Sequence, residues 1–184
     1  FIVFRSNARG RSKKPMENYP EPQKLADINQ PWKVAFDESL RGPSDTVVMH
    51  SLTDWTESSD DRIRYYSGTA FYSNSFIVDK IPENATIYAH LGKVGIMADV
   101  KINGQPAGGV WTYPWRCNIT GLIKEGKNTI EVEVVNNWIN RLIGDSMLPE
   151  KDRQTWINVN PVKPSDPLQQ SGLLGPVKII YIRY

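Results

Sequence analysis

Between residues 98 and 102 apolar and charged side chains alternate without a break, and the next two residues are Asn103-Gly104. Nothing else in the chain limits its fold as tightly. The alternation puts Ala98, Val100 and Ile102 on one face and Asp99 and Lys101 on the other, a two-residue period that a strand satisfies and a helix does not. Asn-Gly supplies the two positive-φ positions of a tight hairpin turn. The same period returns over residues 129–134, after a turn at Glu125-Gly126-Lys127-Asn128, with Ile130, Val132 and Val134 directed inward and Glu131 and Glu133 outward. It returns again over residues 86–91, where Ile87, Ala89 and Leu91 share a face.

Further strand signals lie at residues 32–36, 68–78, 116–120 and 177–183. Half-buried strands separated by turns, with no crossover helices and no internal repeat, predict an all-β antiparallel sandwich or barrel. Composition agrees, since 31 Ile and Val against 18 Leu and Ala favour strands and exclude a helical bundle. One short helix is expected near residues 140–148, limited by Gly144 and Pro149. The stretch from Gly144 to Gly172 carries four prolines and little periodicity. Either it is a functional loop or it meanders over a sheet edge.

With 184 residues the chain suits one core. Residues 1–5 (Phe1-Ile2-Val3-Phe4-Arg5) read as the last strand of an upstream domain, with an edge strand of this domain as the alternative; the chain is expected to begin within a longer protein. Residues 6–30, with Pro15, Pro20 and Pro22, read as a linker or arm, and residues 31–184 as the β-domain. The charge divides the same way. Residues 1–33 hold seven Lys or Arg and three acids, a balance of +4, while residues 34–184 hold 15 and 17, a balance of −2. The folded part is not basic, so nucleic acid is not an expected partner. No apolar run approaches the roughly 20 residues of a membrane-spanning helix, so no membrane is expected either. The lone Cys117 excludes an intramolecular disulfide and a Cys-rich zinc site, and leaves the compartment open.

Catalytic patterns are sparse. His50 and His90 form no zinc motif, and there is no nucleophile elbow or phosphate-cradling loop. Glu131 and Glu133 read as a solvated strand face rather than a glycosidase acid pair. Asp54, Asp60 and Asp61 lack calcium-ligand spacing and read as a solvated turn, so no cofactor is assigned and a structural Ca²⁺ has no support. The aromatics Trp111, Tyr113 and Trp115 are more informative, because they alternate along one extended segment after Gly108-Gly109. Flat rings suit the C–H faces of sugars, with Arg116 and Asn140 as nearby hydrogen-bond donors and the loop after Gly144 as a flank. The alternative is that one or two of the three are core aromatics that plug the open end of the sandwich. Within residues 136–145, Asn side chains are expected to satisfy loop backbone groups, and Arg141 to pair with an acid such as Asp145.

Several of these segments carry a resemblance. Trp32-Lys33-Val34-Ala35-Phe36, Leu52-Thr53-Asp54-Trp55, Tyr65-Tyr66-Ser67-Gly68-Thr69-Ala70, Val100-Lys101-Ile102-Asn103-Gly104 and residues 111–120 resemble the sugar-binding jelly-roll domain of β-galactosidase and β-glucuronidase family glycoside hydrolases. Asn140-Arg141-Leu142-Ile143-Gly144-Asp145, Leu148-Pro149, Thr155-Trp156 and Ser171-Gly172-Leu173-Leu174-Gly175-Pro176-Val177 resemble the C-terminal end of large bacterial α-L-rhamnosidase-like enzymes. There a strand like residues 1–5 closes the preceding domain. The resemblance implies a galactose-binding-like jelly-roll β-sandwich, an accessory part of a multidomain glycoside hydrolase acting on polysaccharide in the periplasm or outside the cell. It implies carbohydrate and a catalytic domain of the same polypeptide as partners, with the catalytic acids in that other domain. An autonomous carbohydrate-binding module and a ligand-free structural brace are the other readings.

Overall fold

The computed structural model describes residues 20–159 and 161–183. The strand expected at residues 1–5 and most of the expected arm lie outside the described residues. Ten strands follow in order: β1 (Gln23–Asp27), β2 (Trp32–Phe36), β3 (Val47–Met49), β4 (Thr69–Val78), β5 (Thr86–His90), β6 (Met97–Ile102), β7 (Gln105–Val110), β8 (Arg116–Asn118), β9 (Gly126–Val135) and β10 (Lys178–Ile182). Among the described residues two α-helices, α1 (Asp61–Arg64) and α2 (Ile139–Ser146), and three short 3-10 turns accompany them. The strands form a four-stranded sheet, β1-β10-β5-β8, and a six-stranded sheet, β3-β2-β4-β9-β6-β7. Every pairing is antiparallel, so the chain is the all-β sandwich that its alternation predicts.

The centre of the large sheet is β9, flanked by β4 and β6. Val132 stands opposite Tyr72 on one side and Val100 on the other, and Val134 stands between Ala70 and Ala98. All these side chains are buried, as are Ile87, Ala89, Ile102 and Ile130. Removing a Val or Ile side chain of this kind from water contributes up to about 1.5–3 kcal/mol. The opposite face carries Phe71 beside Glu133 and Ser73 beside Glu131. The hairpin turn takes positive φ at both Asn103 and Gly104. Asn103 also fastens that turn to the β8–β9 connection, because its carboxamide donates to Leu122 O at 2.9 Å and accepts from Thr129 N at 3.0 Å.

The structure corrects the arm. Gln23–Asp27 lies inside the stretch read as a linker, yet it is an edge strand paired with β10 and it buries Ala26. A bulge between Lys24 and Ala26 breaks its alternation, so a period-two pattern could not reveal it. The helix expected over residues 140–148 is present, displaced to Ile139–Ser146. No helix among the described residues is long and apolar enough to cross a membrane.

Strand directions decide where the loops gather. Val135, Thr69 and Met97 stand side by side where β9 ends and β4 and β6 begin, while Val110 ends β7 beside Ala98. In the small sheet His90 ends β5 between Arg116 and Lys178. Residues 66–68, 91–96, 111–115, 136–138 and 171–177 therefore meet at one end of the sandwich.

Candidate functional site

Two of the three alternating aromatics project from this end. Trp111 is 73% exposed and Tyr113 78% exposed, whereas Trp115 is half-buried against the core. Leu91, just after β5, donates its backbone N–H to Trp115 O at 2.7 Å, and the Trp115 ring packs against the core. Of the three rings expected to be exposed together, two are exposed and Trp115 is the core aromatic that the alternative anticipates. Arg116 lies with its guanidinium 4.5 Å from the centre of the Tyr88 ring. Beside it, His90 accepts from Gly92 N at 3.0 Å, and burial together with the Arg116 and Lys178 charges holds its pKa below the ordinary histidine value. Asn140 does not join this surface. It is 1% exposed, donates to Gln169 O at 2.7 Å and Ser171 Oγ at 3.1 Å, and accepts from Gln169 N at 2.8 Å. Its carboxamide is consumed in holding the long loop, so it cannot serve as a ligand donor.

Ser171 is the centre of that anchorage. Its backbone N–H donates to Asp54 Oδ1 at 3.1 Å, its carbonyl accepts from Trp55 N at 3.1 Å, and its hydroxyl accepts from Asn136 Nδ2 at 3.1 Å. Asn136 also donates to Tyr66 O and accepts from Gly68 N. Buried polar groups without partners would cost about 1–3 kcal/mol each, so this satisfied network fixes residues 169–173 in one arrangement. Gly172 is required here: it has φ +99°, and a Cβ would stand 2.5 Å from Trp55 Nε1. Trp55 Nε1 in turn donates to Tyr72 Oη at 2.6 Å, and burial pushes the Tyr72 hydroxyl up to about 12.

A second anchor sits on α2. Asp145 Oδ1 lies 3.0 Å from Arg141 Nε and 3.9 Å from Arg41 Nη1. Its other oxygen accepts from Gln154 N at 2.9 Å, Thr155 N at 2.7 Å and Thr155 Oγ1 at 2.8 Å. The pairing of Arg141 with Asp145 follows the sequence expectation. What the sequence reading missed is the consequence, a pinned segment that presents Trp156 at 81% exposure. The local signal for it is the Thr155-Trp156 pair, a hydroxyl donor directly before a tryptophan.

The loop acids have local duties. Asp54 caps the turn at Trp55–Glu57 and Asp60 caps α1 while pairing with Arg62 at 2.7 Å. Among the described residues no three His, Cys, Asp or Glu side chains converge as a metal site. Asp99, Glu131 and Glu133 line a shallow depression on the outer face of the large sheet together with Lys33, Lys101 and Phe71.

No protein-family model matches the chain. Over 194 aligned residues it is 36% identical to a protein of Formosa agariphila named "Putative beta-glucuronidase", an alignment that takes in 89% of this chain and 16% of that protein. The solved rhamnosidase from Novosphingobium sp. PP1Y superposes with a TM-score of 0.84 at 32% identity, over 94% of this chain and 16% of that one. The β-D-glucuronidase of Dictyoglomus thermophilum superposes with a TM-score of 0.57 at 18% identity, over 92% of this chain and 29% of that one, which shows the fold alone. The chain therefore spans about a sixth of the first two relatives' length, and it is a β-sandwich domain similar to one small part of large glycoside hydrolases.

Proposed function

We propose that this chain works as a non-catalytic accessory domain within a larger glycoside hydrolase, where its loop end borders carbohydrate bound by the protein. The observation that carries this is the coverage. Nearly all of the chain matches 16% of a protein named for glucuronides and 16% of one named for rhamnosides. A module shared between enzymes named for different sugars is not what sets the sugar, so the hydrolytic groups belong to the remainder of such proteins. The carboxylates here support the same view, because Asp99 and Glu131, though they line the depression on the outer sheet face, are both exposed to solvent rather than buried in surroundings able to separate their acidities.

Trp111 and Tyr113 are the sugar-facing rings in this reading. They protrude from a loop whose ends are fixed by β7 and β8, so stacking on them demands little ordering, and each contact contributes on the order of 1 kcal/mol by analogy with aromatic pairs. The periplasmic or extracellular setting implied by the resemblance belongs to the same proposal. The test is an assay of the purified, folded chain on aryl α-L-rhamnosides and β-D-glucuronides, with no turnover expected. Hydrolysis that disappears in Glu131→Gln or Asp99→Asn would overturn the non-catalytic reading. A brace with no ligand is the outcome if Trp111→Ala with Tyr113→Ala changes neither stability nor any carbohydrate response.

A further inference from the structure

We propose that the depression beside Trp156, on the α2 side of the domain, is a second carbohydrate site that takes one pyranose ring of a glycan. It rests on the carbohydrate setting proposed above but not on Trp111 or Tyr113. The depression measures ≈ 360 Å³, within the range of about 300–1,000 Å³ common for small-ligand sites. Its walls are mixed rather than apolar. Trp156 supplies an aromatic face, while Glu150 supplies acceptors and Arg153 donors, the latter with its Nε–H already given to Leu148 O at 3.0 Å. Gln154 also lines the depression, while its amide oxygen is buried beneath the surface and has no donor among the described residues. Ser146 lines the floor with a hydroxyl that donates to Ile143 O at 2.6 Å and keeps its lone pairs.

The support beneath this surface argues for more than a stray exposed ring. Gln154 N, Thr155 N and Thr155 Oγ1 all donate to one carboxylate oxygen of Asp145, and Arg141 holds the other oxygen from within α2. Gly144 permits that approach, since a Cβ there would lie 2.6 Å from Arg141 Nη2 and 2.8 Å from the Tyr65 ring. Desolvating an ion pair is costly, and here its product is a fixed backbone immediately before a tryptophan left in solvent. A pyranose fits the chemistry that results. One face of the ring offers C–H groups to the indole, and its equatorial hydroxyls both donate and accept, as the neighbouring Glu150 carboxylate and Arg153 guanidinium require.

The test uses the ¹⁵N-labelled chain and its six indole N–H resonances, with that of Trp156 assigned by its loss in Trp156→Phe. Titration with methyl α-L-rhamnopyranoside and methyl β-D-glucuronide should move the Trp156 resonance saturably, with a dissociation constant on the order of 1 mM. Glu150→Ala, which removes an exposed acceptor of the rim, should weaken the response severalfold without moving the thermal midpoint. A Trp156 resonance that stays fixed for both glycosides, or that moves as much with glycerol, overturns the proposal and leaves an interface with another protein domain as the use of this surface. Movement at Trp111 without movement at Trp156 overturns only this second site; the reverse overturns only the first.

Discussion

Arg141 and Asp145 stand one turn apart on α2 with Nε and Oδ1 separated by 3.0 Å, and both side chains are buried. Removing the carboxylate strands a guanidinium and releases the three donors of residues 154 and 155 at once. Asp145→Ala should therefore cost about 3–5 kcal/mol, a fall in thermal midpoint on the order of 10 °C for a chain of this size. Differential scanning calorimetry measures it. A fall of only a degree or two would mean that the segment before Trp156 is held by something else.

The two faces of β9 should respond oppositely to charge. Val132 lies between Tyr72 and Val100 in the core, so Val132→Asp buries an unpaired carboxylate and should leave little folded protein. Its neighbour Glu133 faces outward beside Asp99, and Glu133→Lys exchanges a like-charge pair for an opposite one. Urea denaturation of that variant should match the parent within about 0.5 kcal/mol.

Cys117 donates its thiol to Gly108 O at 3.1 Å, and burial, with a smaller contribution from the Asp99 charge, pushes its pKa up to about 11. The thiolate that reacts is therefore scarce at neutral pH. A disulfide reagent such as DTNB should leave the native chain untouched and label one thiol after denaturation. Rapid labelling of the native chain would contradict the burial of Cys117.

His90 gives stability a pH dependence of known sign. Its native pKa is depressed, first by burial and then by Arg116 and Lys178, so the unfolded chain binds the proton more readily. Its contribution is complete above the unfolded value near 6.5 and is lost as pH falls through the lower native value. Urea midpoints measured from neutral pH downward should decline in that window, and His90→Gln should decline less.

Alternation made the core legible, because each of Val100, Ile102, Ile130 and Val132 announces its face through its neighbours. It failed wherever the deciding partner is remote in sequence. β1 is a strand because β10, more than 150 residues later, pairs with it, and no local pattern carries that information. Trp115 differs from Trp111 in that its ring packs against the core and its carbonyl is taken by the N–H of Leu91, a residue more than 20 positions away. Asn140 read as a surface donor because its partners, Gln169 and Ser171, lie across an aperiodic loop. The Arg141–Asp145 pair was legible because helical spacing alone brings the two residues together.

In the proposed function this domain meets carbohydrate at its aromatic loop end and does not hydrolyse it. One NMR sample reads both. The folded ¹⁵N chain is mixed with methyl α-L-rhamnopyranoside or methyl β-D-glucuronide, and the Trp111 indole resonance is followed together with the anomeric signal of the glycoside. The account predicts that the Trp111 resonance moves with glycoside concentration while the anomeric signal stays constant. A fixed Trp111 resonance, or steady conversion of the glycoside to free sugar that one carboxylate substitution abolishes, would contradict it.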